Sequence, residues 1–297
     1  MRIVMAGSSG LIGSDLSSRL ISDGHDVTRL VRRPPNAAAE VRWDPAAGSL
    51  DPACLEGADA VINLCGAGIG DKPWTRGRID ELFRSRLDPT RTLTAAMRHL
   101  DAPPKIFISQ SGAGYYGNAG QNLVTEESPA GAGIMARICV EWEAAAREAP
   151  PGVRVVTPRS AVVLSRSGGA LGRLLPLLRA GLGGPLGNGR QYWPWITLPD
   201  ISSAFAFLMT SALSGPVNVS APQAADVNTL VTELAAALHR PALLRVPAPA
   251  LRLVMGKLAD ELLLASQRME PALLRGDGFR WQHPSVQGAA SWVVGGS

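Results

Sequence analysis

Apolar residues along this chain gather into short unbroken runs, set apart by longer stretches in which they recur every three or four positions. Runs of strand length fall at residues 3–6, 27–31, 60–64, 106–109 and 153–157, and a helical step is clear at Leu16 and Leu20, up to Gly24. A continuous apolar run reads as a strand covered on both faces, and a parallel neighbour requires a long crossover. The pattern predicts an α/β fold in which residues 1–165 form a doubly wound parallel sheet. Beyond Leu164 the texture changes: "SRSGGALGRLLPLLRAGLGGPLGNGRQYWPWITLPD" is rich in Gly, Pro and aromatics and poor in strand signals. Residues 166–297 are therefore expected to form a smaller, loop-rich C-terminal substrate lobe, interleaved with the first domain. Within it, helices are predicted at 228–238, behind Asp226 as N-cap, and at 251–258, with "GDGFRWQHPS" marking turns before a short last helix.

The first run leads directly into "GSSGLIG" and then into helical spacing, the setting that gives a glycine motif weight. Gly7 permits the sharp turn, Gly10 lets backbone approach a diphosphate, and Gly13 lets helix and strand pack closely. The helix start offers N–H donors and positive potential. This predicts a Rossmann-type nucleotide domain, with Gly7, Ser8, Ser9, Gly10, Leu11, Ile12 and Gly13 as its phosphate loop. After the second run an NAD-selective site usually places an acid for the ribose hydroxyls. Here "VTRLVRRPP" places Arg32 and Arg33, which suit a 2′-phosphate, so NADP(H) is favoured over NAD(H).

Composition narrows the picture little. A hydrophobic content of 46% with 18% charged residues excludes a disordered chain. The net charge of +4 with pI near 9.3 invites a polyanion, yet no basic run exceeds Arg32-Arg33, so no nucleic-acid partner is expected. Cys54, Cys65 and Cys139 have neither C-x-x-C spacing nor a His cluster nearby, so neither disulfides nor a metal are expected. No run approaches the ~18 apolar residues of a membrane span, and glycines interrupt the N-terminus too early for a signal segment. A cytoplasmic protein with no membrane partner is the expectation.

The glycine spacing, "AVINLCGAGIGDKPW", "ISQSGAGYYG" and "GNGRQYWPWITLPDI" together resemble the extended and atypical short-chain dehydrogenase/reductases. More narrowly, "DKPW", Ser85-Arg86, "GYYG", "CVEWE", "GLGGPLGNGRQY" and "RPALLRVPAPALRLVMG" resemble the NADP-binding epimerase family of the 39U type, over nearly the whole chain. The family's substrate is not part of what the resemblance implies; the expected partner is a small-molecule substrate, a nucleotide-sugar or a carbonyl compound. The resemblance places Arg32 after the second strand, and Asn63 with Gly66 at a strand-end turn beside adenine and ribose. It also places Ser111, or a neighbouring glycine one residue along, at the active-site hydroxyl. Arg159 and Asp200 match positions that hold the substrate lobe to the sheet.

The same superfamily uses a tyrosine as acid/base and a lysine four residues on, which shares its helix face and lowers its pKa. In "GAGIMARICVEWE" one register puts Met135 and Cys139 at those places, and the other puts Gly133 and Arg137 there. Neither supplies the dyad. Met135, Ile138, Cys139, Trp142 and Ala146 instead share one helical stripe, expected to be buried. That leaves Ser111 and Tyr116 as the catalytic candidates. Trp74, Trp193 and Trp195 are candidate pocket walls, and Arg84 or Arg86 a candidate cation for an acidic substrate group. Two functions follow: an NADP(H)-dependent oxidoreductase or epimerase-like enzyme, and a non-catalytic NADPH-binding redox-sensing or regulatory protein.

Overall fold

Strand β1 (Arg2–Ala6) is fully buried from Ile3 to Ala6, as a run of Ile, Val, Met and Ala demands. It is the hinge of a seven-strand path with β2 (Asp26–Val31), β3 (Glu40–Arg42), β4 (Ala60–Asn63), β5 (Ile106–Ser109), β6 (Arg154–Ser160) and β7 (Gly215–Val219), in the order β3-β2-β1-β4-β5-β6-β7. The ladders from β3 across to β6 are parallel. Ala6 lies opposite Leu30 on one side and Asn63 on the other, so β1, β2 and β4 end level with one another. The winding reverses between β1 and β4, and a crevice opens beyond their carboxyl ends. This computed structural model describes residues 1–166, 168–169 and 171–295.

Helix α1 (Leu11–Ser22) packs Gly13, Leu16 and Leu20 inward, and Gly24 turns the chain out with φ +82. Helix α2 (Arg76–Met97) contributes Leu93 and Met97, and α3 (Ile134–Ala146) contributes Ala146, to a core around Val4, Val61 and Phe107. Each fully buried aliphatic side chain there stabilises by roughly 1.5–3 kcal/mol. The stripe expected on α3 is buried as predicted, with Met135, Ile138, Cys139, Trp142 and Ala146 all at most 6% exposed.

The chain forms two compact units whose segments alternate along the sequence. The first unit holds Met1–Ser111, Ile138–Arg159 and Ser202–Val217; the second holds Gly112–Arg137, Ser160–Ile201 and the chain from Asn218 on. The second unit contains two short parallel pairs, Val162–Leu164 with Trp195–Thr197 and Leu123–Val124 with Arg268–Met269. Its core gathers Leu175, Leu178, Trp195, Val231, Ala289 and Val293. The helix predicted at 228–238 runs Val227–Ala237, with the Asp226 carboxylate accepting from Thr229 N at 2.7 Å. The one predicted at 251–258 runs Ala248–Met255, because Pro247 and Pro249 favour an earlier start and Gly256, at φ +58, ends it. Among the described residues no helix is long and apolar enough to cross a membrane.

Candidate functional site

The crevice of the first unit is a cleft of about 920 Å³ walled by Gly7–Gly10, Val31–Arg33 and Leu64–Ala67, the exits of β1, β2 and β4. Its three motif glycines do different work. At Gly7, φ is +80, and a Cβ would stand 2.7 Å from the Leu64 carbonyl carbon. At Gly13 a Cβ would fall 2.2 Å from Gly7 O. Both are required by the fold itself. Gly10 is different: its φ of −76 suits any residue, and a Cβ would meet nothing closer than Gly7 O at 3.5 Å. What a side chain at Gly10 would occupy is the cleft. Gly10 also caps α1 without a side-chain hydrogen bond, so the N–H groups of Leu11, Ile12 and Gly13 precede the first intrahelical bond, Ser14 N to Gly10 O. Ser8 and Ser9 line the cleft, while Leu11, Ile12 and Gly13 stand behind it as the first helical turn. An uncapped helix start facing a cradle that only glycine leaves open fits a diphosphate.

At the exit of β2 the two arginines part company. Arg33 grips Glu40 with two bonds of 2.8 Å, Asn36 N adds a third, and Arg29 approaches at 3.3 Å. The Arg33 hydrogen bond, before any other cause, holds the Glu40 carboxyl down at about 2. The acid at this corner is thus already neutralised. Arg32 is exposed at the cleft wall with no ion pair among the described residues, which leaves a guanidinium available to a phosphate.

Asn63 does not reach the cleft. It is completely buried: its Oδ1 accepts from Cys65 N at 3.1 Å and its Nδ2 donates to Thr90 Oγ1 at 2.9 Å. Its place in a cofactor-contact set is corrected to that of a side chain that pins the strand-end turn, because every polar atom it has is used inside the fold. Gly66 does line the cleft, and a Cβ on it would lie 3.2 Å from the Arg86 guanidinium carbon. Arg86 donates to Ala67 O and Leu82 O at 3.0 Å and lies over the Trp142 ring, while Ser85 Oγ accepts from Ala67 N at 3.0 Å. The Ser85-Arg86 pair therefore clamps the loop by both its N–H and its C=O. Burial pushes Arg86 down to about 10. It braces the wall from behind, and Arg84 is the arginine of that helix that faces the cleft. Cys65 also lines it, its thiol pushed up to about 12 by burial.

The two candidate hydroxyls have their protons engaged. Ser111, 2% exposed, donates to Glu143 Oε1 at 2.8 Å, and Arg159 holds the same carboxylate through Nε at 2.8 Å and Nη2 at 3.0 Å. In the second unit Tyr116 is 3% exposed and donates to Asn218 Oδ1 at 2.6 Å, with Thr125 O at 2.9 Å. Asn218 Nδ2 donates to Glu270 O, which fixes the orientation of that amide. Asp200 is fully buried and accepts from Thr197 Oγ1, Gln282 N and His283 N. Trp193 and Trp195 are core residues whose indole N–H groups bond to Leu263 O and Gln223 O, and Trp74 bonds to Ile69 O.

Two groups escaped sequence reasoning. One is the Glu143–Arg159 pair, whose partners lie on a helix and a strand with no shared motif. The other is Glu261, whose carboxylate accepts from Ile134 N and Met135 N at 2.8 and 3.0 Å and so caps α3. Gly133 admits it: φ is +109, and a Cβ there would stand 2.7 Å from Glu261 Oε1. A cavity of about 240 Å³ in the second unit is lined by Glu261 with Gly114, Gly117, Asn118 and Met135. Among the described residues no cluster of His, Cys, Asp or Glu has the makings of a metal site.

A model of the NAD dependent epimerase/dehydratase family matches residues 3–220, and one for a domain of unknown function, DUF1731, matches residues 246–293. Epimerase family protein Mb2239 of Mycobacterium bovis is 42% identical over 98% of this chain and 97% of its own. Among solved structures, human epimerase family protein SDR39U1 (isoform 2) with NADPH is similar at a TM-score of 0.92 and 31% identity, covering 99% of both chains. A nucleoside-diphosphate sugar epimerase from Corynebacterium glutamicum matches at 0.80 and 29%, over 99% of this chain and 58% of that one.

Proposed function

Because the chain belongs to the NAD dependent epimerase/dehydratase family, we propose that its cleft binds NADP(H) and that it acts as an oxidoreductase or epimerase-like enzyme on a small molecule. The observation that carries the cofactor choice is at the exit of β2: Glu40 is spent on Arg33 and Arg29, whereas Arg32 stands at the wall without a partner acid. The carboxylate beside the exit of β2, Glu40, is already engaged by arginine, and a 2′-phosphate finds the Arg32 guanidinium. The N–H groups of Leu11 and Ile12 and the open face of Gly10 hold the diphosphate. The human relative crystallised with NADPH supports the same reading. When bound, the nicotinamide supplies hydride chemistry.

For the reacting oxygen this chain offers Ser111 as the site hydroxyl. Its proton already goes to Glu143, so its lone pairs are what remain to receive a substrate O–H. Tyr116 is a loop anchor in this reading, since its O–H spans Asn218 and Thr125. A nucleotide-sugar or a carbonyl compound is the proposed substrate class, supported by the sugar epimerase among the similar structures. One set of observations favours the second reading, a non-catalytic NADPH-binding regulatory protein: Met135 and Cys139, one of the two registers for the dyad, are buried, the other register is Gly133 and Arg137, and both hydroxyl protons are engaged.

Calorimetry tests the cofactor claim. The protein is expected to bind NADPH more tightly than NADH, and Arg32→Ala to weaken NADPH by about 10–100-fold while leaving NADH alone. Equal loss for both coenzymes sinks the assignment of Arg32. Consumption of reduced cofactor against a panel of carbonyls, together with isomer interconversion of nucleotide-sugars read by product analysis because an epimerase regenerates its cofactor, separates the readings: turnover in either assay that falls in Ser111→Ala supports the enzyme, and none in both supports the regulator.

A further inference from the structure

Acidic side chains are missing from two basic intervals of the chain. One runs between Glu148 and Asp200 and includes Leu182; the other, between Glu233 and Asp260, carries Arg240, Arg245, Arg252 and Lys257. Those four equal the whole net charge of +4, so the rest of the chain holds 25 cationic and 25 acidic residues. All four are exposed, and among the described residues only Arg252 has an acidic partner, Asp260 at 2.9 Å.

The same interval carries the most exposed large apolar side chains of the described residues: Leu253 at 89%, Val254 at 84% and Leu243 at 82%, with Leu182 next at 57%. The helix Ala248–Met255 buries Leu251 and leaves Arg252, Leu253 and Val254 exposed. Leu182 belongs to the same strip, because the neighbouring Gly183 O accepts from Leu244 N at 3.3 Å.

We propose that this strip docks the protein on an anionic membrane surface. Aliphatic side chains standing almost free of their neighbours, with cations interspersed and Asp260 beside Arg252 at the edge, match the boundary between phosphate headgroups and acyl chains. A nucleic acid is disfavoured, since residues 234–259 contain no Phe, Tyr or Trp to stack on a base. A protein partner of ordinary interface size would meet a broader, shared apolar hollow rather than separate projecting side chains.

Flotation of the full chain with phosphatidylcholine vesicles, with and without phosphatidylserine, tests this. Binding is expected only to the anionic vesicles, weakened by salt, and lowered by more than about 25-fold in Arg245→Glu/Lys257→Glu, at about fivefold for each cation lost and more for each charge reversed. Leu253→Ser/Val254→Ser should also abolish flotation, while melting temperature and NADPH calorimetry stay unchanged in both variants. Absence of flotation, or flotation indifferent to both variants, overturns the proposal. So does a wild-type dimer that Leu253→Ser/Val254→Ser makes monomeric with no vesicle binding, which reassigns the strip to a second copy of this chain. Retention on DNA without vesicle binding overturns it equally.

Discussion

Gly10 and Gly13 are three residues apart and look alike in sequence, yet space around them differs. A methyl at Gly13 collides with Gly7 O at 2.2 Å, whereas one at Gly10 is in ordinary contact at 3.5 Å. Gly13→Ala is therefore expected to fail to fold or to melt far below the wild type. Gly10→Ala should stay within about 1 kcal/mol of wild-type stability and lose NADPH affinity, read by calorimetry beside a thermal melt. A folded Gly10→Ala that binds as well as wild type would show that the cofactor does not approach here. A similar contrast separates Ser111 from Glu143. Glu143→Gln leaves Arg159 with a buried, unbalanced charge and should cost about 3–5 kcal/mol; Ser111→Ala removes one donor to a carboxylate that Arg159 still holds and should cost about 1–2 kcal/mol. Urea unfolding of the two variants reads the difference.

Among the elements, the strands legible in the sequence were those with unbroken apolar runs. β1, β2, β4, β5 and β6 appear where Ile, Val and Leu cluster, because strands covered on both faces tolerate little else. β3 and β7 were not legible. β3 is three residues, Glu-Val-Arg, and its first side chain is a carboxylate that burial alone would forbid. It is stable because Arg33 and Arg29 reach Glu40 from β2 and the turn after it, contacts that appear only once the chain has folded back. This corner has a pH signature. The folded Glu40 carboxyl is held down at about 2, below its unfolded range near 4.5. Its stabilisation is full above that range and is lost as pH falls toward about 2. Melting temperatures of wild type and Glu40→Gln should thus differ most at neutral pH and converge from about pH 5 downward. A gap that stays constant to pH 3 would place the ion pair outside the stability of β3.

Across the whole molecule, the nucleotide half of the site was readable because its residues are consecutive: turn, glycine loop and helix start are written in one stretch, Ala6 to Gly13. What was not readable depends on residues far apart, such as Glu261 capping a helix that starts at Ile134, or which segments of the chain belong to each of the two interleaved units. A boundary drawn from composition near 165 could not foresee that residues 112–137 belong to the second unit and 202–217 to the first. The division carries its own test. The residues lining the large cleft lie between Gly7 and Pro89, within the first unit, whereas Val231, Ala289 and Val293 build the core of the second. Ala289→Asp places an unpaired carboxylate in that core, a substitution that costs several kcal/mol. Hydrogen exchange on this variant should show faster exchange across residues 160–166, 171–201 and 218–295. The protection that NADPH confers on residues 7–13 should persist. If both sets of amides lose protection together, the two units unfold as one body and the cleft depends on the second core; if neither does, Ala289 is not the packed contact its burial implies.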